Sequence, residues 1–278
     1  MRKISSYRHP ITWVVGDAPS SSVSWLYLFL LFTVLFPLWE VFVRFEVADF
    51  SLFSLPSHIA TTLWQLVTSG ELVEHGIASA KRVLPGLLIG TAVGFPLGIG
   101  LALFPHLASV SEKVMALLYA TSKLSVFYVF IIWMGIYEAP KLGITIWITV
   151  LFQTTLSFFR CRALLYGREN IDKGMHEMIL MAINMGVSRW QLYRDILVPL
   201  LLPQLFFGLF LSSSISWSLL ALTEQTGTMR GFGFLIQEGH EMVEIELIFA
   251  ATILLACCNL LSWGVIRLIE KQVLHWRQ

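Results

Sequence analysis

The chain has 278 residues, of which 56% are apolar and 13% charged, and a net charge of +1. Soluble domains are roughly 45–50% apolar and about 25% charged, so this composition, with a mean hydropathy of +0.73, marks an integral membrane protein. A charge so near neutral excludes the broad basic face that a nucleic-acid partner requires.

Met1 to Ser22 is polar and modestly basic, without a short apolar core followed by a small-residue cleavage site. It reads as a retained cytoplasmic tail, residues 1–22, ahead of a membrane domain over residues 23–278. About 20 mainly apolar residues are needed to cross the hydrocarbon core. Trp25 to Val43 is the first such stretch. Glu40 and Arg44 near its end are four apart and can pair on one helix face. Phe45 to Leu72 follows with no Lys or Arg, and Pro56 to Ser69 within it reads as an amphipathic helix lying at the outer surface.

The second span lies within Val83 to Phe104. Gly86, Gly90, Gly94 and Gly98 recur there every four residues, which bares one helix face so that a neighbouring helix can approach closely. Arg82, near the outer end of this span, reads as an anchor whose guanidinium reaches the headgroups. Ala108 to Gly135 starts polar, turns apolar, carries Thr121, Ser122 and Lys123, and is apolar again to Met134; it reads as one long or broken third span. The fourth span is Leu142 to Phe159, the fifth Ile196 to Leu222 and the sixth Leu247 to Ile269.

Arg160 to Pro203 separates the fourth and fifth spans and holds six basic residues, Arg160, Arg162, Arg168, Lys173, Arg189 and Arg194. Locally it reads as a short helix, a break at Gly186 and a second helix opened by Ser188. Gln191, three residues on, fits a capping box. With the N-terminus inside, thirteen of the 19 basic residues fall on the inner side. The expected architecture is therefore all-α and polytopic, with about six transmembrane helices, both termini in the cytoplasm and the 160–195 loop inside.

Ionisable residues in or near spans are functional candidates, because lipid burial is costly. Lys123 either meets an anion along a central path or reaches the inner headgroups. Glu224 either lines the path or a gate, or is an ordinary outer-loop acid. Trp217 either faces the path or is packed. The seven histidines (9, 58, 75, 106, 176, 240, 275) include no two four apart, and neither His176-Glu177 nor His240-Glu241 has the second histidine of a zinc-protease helix. Cys161, Cys257 and Cys258 give no disulfide framework. No phosphate-binding Gly-x-x-x-x-Gly-Lys motif and no Gly-x-Ser-x-Gly motif occurs. Neither metal nor cofactor is expected, and no catalytic residue.

The central loop resembles the EAA loop of binding-protein-dependent ABC importer permeases, whose core reads Glu-Ala-Ala, three residues, Gly, about nine residues, Ile and a nearby Pro. Ala182 matches the second alanine, Gly186 the glycine, Ile196 the isoleucine and Pro199 the proline. Leu180 and Met181 occupy the glutamate and first alanine slots. Ser69-Gly-Glu-Leu72, His75, Ser79, Arg82-Val83 and Gly86 look like the approach to the second span in the sulfonate/nitrate/taurine branch. Ile132-Trp-Met-Gly-Ile-Tyr-Glu138 resembles a second stretch of that branch, and Leu202-Pro203 and Gly208 continue the likeness.

The resemblance implies a half-transporter in a bacterial inner membrane. It would pair with a second, identical permease chain, dock cytoplasmic P-loop ATPases and receive solute from a periplasmic or lipid-anchored binding protein. Glu177, Leu180, Ala182, Gly186, Ser188, Arg189 and Pro199 would form the ATPase-coupling surface. Glu177 precedes Leu180 by one helical turn and would supply some of the missing charge. Around Ala120-Thr-Ser-Lys123 the family shows a proline-rich break, so a straighter third span is expected here. Lys123 tilts the solute towards an anion. A self-contained channel or secondary carrier is the alternative; an intramembrane hydrolase would need a paired catalytic constellation.

Overall fold

The computed structural model describes residues 21–44, 54–166 and 173–275. Residues 1–20, 45–53, 167–172 (Arg168 among them) and 276–278 lie outside the described residues, as does the side chain of Arg189. Ten helices are considered: α1 (Ser21–Arg44), α2 (Pro56–Ser69), α3 (Glu71–Leu103), α4 (Pro105–Ala120), α5 (Lys123–Met134), α6 (Glu138–Tyr166), α7 (Lys173–Asn184), α8 (Val198–Glu224), α9 (Phe232–Met242) and α10 (Ile245–Val273). Among the described residues there is no strand.

The chain divides into two compact units, Met1–Ala60 and Thr61–Gln278. In the first, Arg44 Nη2 lies 2.9 Å from Glu40 Oε1, the expected pair one turn apart. Glu40 also accepts from Ser57 N at 3.2 Å and from Ser57 Oγ at 3.0 Å, which ties the end of α1 to the start of α2.

In the second unit, four segments are long and apolar enough to cross a membrane: Glu71–Leu103, Glu138–Tyr166, Leu192–Glu224 and Ile245–Val273. They have 33, 29, 33 and 29 residues, more than the roughly 20 a span needs. The pair α4 and α5 makes a fifth if counted as one span, but it bends by 90° at its break.

That bend corrects the expectation of a straighter third span. Thr121 and Ser122 take extended backbone without any proline. Thr121 closes α4 by donating N–H and Oγ1 to Leu117 O at 3.2 and 3.0 Å. Ser122 opens α5 by accepting from Ser125 N at 3.4 Å. The Ser122 hydroxyl thus satisfies one of the backbone N–H groups, and Lys123 Nζ one of the carbonyls, that such a break leaves bare.

α6 is the central helix. It packs against α3 most extensively, then against α8, α5, α7 and α4. The glycine run explains the closeness of α3. A Cβ on Gly86 would meet the Thr145 side chain, one on Gly90 the Thr149 side chain and one on Gly98 the Thr154 carbonyl. A Cβ on Gly94 would come 2.8 Å from Val150 O and 2.9 Å from Gln153 Cβ. Residue numbers rise together along both helices, so α3 and α6 run parallel, as two spans separated by one intervening span must.

Polar side chains fill the seam of this bundle and most find partners within it, although Gln153 Oε1, Ser157 Oγ and Ser216 Oγ have no hydrogen-bond partner among the described residues. Thr145, Thr149 and Thr155 donate back to the carbonyl one turn earlier, at 2.8–3.0 Å. Gln153, fully buried, donates to Leu205 O on α8 at 3.0 Å and to Thr91 Oγ1 on α3 at 3.3 Å. Gly208 leaves room for that amide, because a Cβ there would meet Gln153 Oε1 at 2.5 Å.

Candidate functional site

Two constructions stand at opposite ends of the bundle: an elbow between α6 and α8, and a buried ion cluster between α3, α6 and α8.

The elbow begins with α7. Met175, Ile179 and Ala182 recur at helical spacing and pack into a core with Phe158, Cys161, Leu164, Leu197 and Leu201. His176 Nδ1 donates to Leu164 O at 2.8 Å, fixing α7 to the end of α6. The end of α6 is itself braced by Arg162, whose Nη1 lies 3.1 Å from Glu112 Oε1 on α4.

Gly186 stops α7. Its φ is +79°, a left-handed conformation costly for residues with a Cβ. Gly186 N donates to Ile183 O at 3.0 Å and Val187 N to Ala182 O at 3.3 Å, the two bonds of a Schellman motif. The chain restarts immediately. Ser188 N donates to Gln191 Oε1 at 3.2 Å and Gln191 N to Ser188 Oγ at 3.4 Å, so the capping box forms. A short turn, Arg189–Gln191, runs into a π-helical segment, Leu192–Leu197. Val198 N donates to Tyr193 O, five residues back, and Pro199 beside it has no N–H.

This construction turns an apolar face outward. Met178, Leu180, Met181 and Met185 are exposed, Met185 by 82%, and Trp190 beyond the turn by 71%. Glu177 is exposed too, one turn before Leu180. Exposed apolar patches of this kind are found where a protein meets a partner or a membrane.

At the opposite end, Arg82 gathers two acids. Its Nη1 lies 2.5 Å from Glu224 Oε1, and its Nε and Nη2 hold Glu138 Oε2 and Oε1 at 2.5 and 2.7 Å. Arg82 Nη1 also donates to Arg230 O at 2.8 Å. Glu224 has no exposed surface and accepts from Ser79 Oγ at 2.9 and 3.0 Å and from Gly233 N at 2.9 Å. Gly231 lets the α8–α9 connection close over this carboxylate, since a Cβ there would strike it, and Gly233 lets the start of α9 approach α8, since a Cβ there would meet Ala221 O and Glu224 Cβ. Arg82 is therefore no snorkelling anchor: it is buried and ion-paired, because its two partners converge on it from different helices. Lys141, counted on the outer side by its charge, is fully buried and caps the α5–α6 turn, donating to Tyr137 O at 2.7 Å and Ile136 O at 3.1 Å.

The other expected path residues lie elsewhere. Lys123 sits at the 90° break, half-buried, with Nζ donating to Tyr119 O at 2.8 Å and lying 5.5 Å from the Tyr119 ring centroid. Trp217 is buried, and its Nε1 donates to Ser262 Oγ at 3.0 Å, joining α8 to α10. In this conformation neither Trp217 nor Glu224 presents surface to an open path. Lys123, Trp217 and Glu224 do not form one site.

Residues 94–275, more than half of the chain, match the family described as binding-protein-dependent transport system inner membrane component. The chain belongs to this family. It is 26% identical to a Bacillus subtilis permease protein named for aliphatic sulfonates transport, over 91% of this chain and 88% of that one. It is 25% identical to the taurine transport system permease protein of Escherichia coli, over 77% of this chain and 71% of that one. Its identity to the riboflavin transport system permease protein of Chloroflexus aurantiacus is 26%, over 80% and 79% of the two chains. Membership makes this chain a component of an inner-membrane transport system, and among the described residues no metal-binding group of His, Cys, Asp or Glu occurs.

Sequence reasoning missed the ion cluster. Ser79, Arg82, Glu138 and Glu224 are spread over three helices, and the sequence singled out Arg82 and Glu224 only as separate ionisable residues near span ends.

Proposed function

We propose that this chain is the translocation subunit of an ABC importer, passing a small anion such as a sulfonate, taurine or nitrate into the cytoplasm. Separate P-loop ATPases supply the energy and bind the elbow. A second, identical permease chain and a periplasmic or lipid-anchored solute-binding protein complete the assembly. Both termini and the 160–195 loop face the cytoplasm.

The observation that carries this reading is the exposed face of α7, held rigid by the Schellman turn and the capping box. Glu177, Leu180, Gly186 and Ser188 lie on or beside that face, while Ala182 and Pro199 set the helix it stands on. A push on α7 reaches α6 through His176 and Ile179, and α6 touches most of the bundle. Coupling then amounts to biasing two packings of the spans. Lys123, at the broken span, is placed to meet an anion. Trp217 and Glu224 would reach a solute only in a second packing. The relatives named for sulfonates and taurine support the solute class.

Co-purification tests the reading. An ATPase subunit co-expressed with this chain should be retained by it, and Met178→Asp with Met181→Asp should abolish retention without unfolding the chain. Retention unaffected by both charges would contradict it.

A further inference from the structure

Beside the Arg82 cluster lies an open cavity of about 770 Å³, at the end of the bundle away from the elbow. Its polar lining is Glu74, Lys81, Arg82, Glu138 and Arg230. Arg82 meets its two acids very differently. Glu224 is buried and held from behind by Ser79 and Gly233, so it pins Nη1 in place. The Glu138 side chain is 63% exposed, whereas that of Arg82 is 8% exposed. Water screens an exposed carboxylate, so its attraction adds little net stability.

The guanidinium thus has fixed contacts through Nη1, to Glu224 and to the Arg230 carbonyl, and one replaceable partner, Glu138. The replaceable contact is bidentate, made through Nε and Nη2 to both oxygens of Glu138, and Arg82 and Glu138 both line the cavity. A sulfonate or carboxylate presents the same pair of oxygens. Lys81 stands one residue before Arg82, exposed and without an ion pair among the described residues. Arg230 is held 2.8 Å from Glu74, with both side chains about half or more exposed. Once Glu138 swings aside, three cations face one acid. Ile77, Leu142 and Met229 add an apolar wall suited to a short alkyl chain.

We propose that this cavity is a binding site for a small sulfonate or carboxylate, whose headgroup takes the Nε/Nη2 edge of Arg82 by displacing Glu138. The inference rests on the importer reading for the side of the membrane from which the anion arrives. Glu138 is the built-in competitor. It keeps the edge paired while the cavity is empty and sets the affinity low enough for release.

The test is equilibrium binding of ethanesulfonate to the full chain in nanodiscs at low salt. Wild type should bind saturably, Glu138→Gln roughly threefold or more tightly, and Lys81→Gln more weakly; tetramethylammonium should not bind. Lack of saturable binding in both wild type and Glu138→Gln would overturn the proposal, as would equal affinities for the two. Should Glu138→Gln fail to fold, unchanged binding by Lys81→Gln overturns it instead. An elbow that retains its ATPase beside a cavity that ignores ethanesulfonate sinks this inference and leaves the importer reading standing.

Discussion

Thr154 on α6 donates its hydroxyl at 3.1 Å to the carbonyl of Gly94 on α3, a bond possible only because Gly94 has no side chain. A Cβ there would press on Val150 O and Val150 Cα, at 2.8 and 2.9 Å, both backbone atoms that cannot turn aside. The two backbones therefore pack in direct contact here, and a side chain-to-backbone hydrogen bond joins them.

Gly94→Val should lower stability by about 1–3 kcal/mol, the usual cost of overpacking a close-packed interior. Gly100, on the same helix, has nothing within 4 Å of the position of a Cβ. Gly100→Ala should be neutral or mildly stabilising, because alanine is the better helix former. Thermal unfolding in nanodiscs compares the two. Equal effects would mean that the glycine run does not seat α3 on α6.

Arg82 and Glu224 predict a second asymmetry. Removing one member of a buried pair strands the other, at a cost of about 3–5 kcal/mol. Arg82→Met should therefore destabilise strongly, and the double variant Arg82→Met with Glu224→Met should recover much of the loss. Glu138→Gln should cost far less, since that carboxylate is exposed. Unfolding midpoints for wild type and these three variants give the comparison, and a double variant no more stable than Arg82→Met would show that the pair is not a unit.

Lys123 has two tasks on this account: it caps the end of α4 through Tyr119 O, and it carries the cation at the break. Lys123→Met removes both, and Lys123→Arg keeps the charge. Reconstituted uptake of taurine should fall several-fold in the first and recover in the second. Unchanged uptake of every anion tried in Lys123→Met would remove this residue from the path.

Glu177 stands one turn before Leu180 on the exposed face of α7. If it stands in for the acid absent at Leu180, Glu177→Ala should reduce solute-stimulated ATP hydrolysis in the assembled complex. Undiminished stimulation would leave Glu177 as a solvated bystander.

Local signals were the legible ones. Glycines four apart, Gly186 before Ser188-x-x-Gln191, and Glu40 four before Arg44 each act within a turn or two, where sequence spacing is spatial spacing. The ion cluster was not legible, because Arg82 is separated by 56 residues from Glu138 and by 142 from Glu224. The sequence read Arg82 as a headgroup anchor; its burial depends on partners that only the packed bundle supplies. The 90° bend escaped because proline was taken as its marker, whereas serine and threonine caps make the same break.

The most direct test is site-specific cross-linking from α7 in the membrane-embedded complex, with a photoreactive residue in place of Met181. The account predicts an ATP-sensitive adduct to a P-loop ATPase subunit, lost when Met178→Asp is added. A residue at 181 that labels only lipid or solvent, in a complex that still imports its solute, would contradict it.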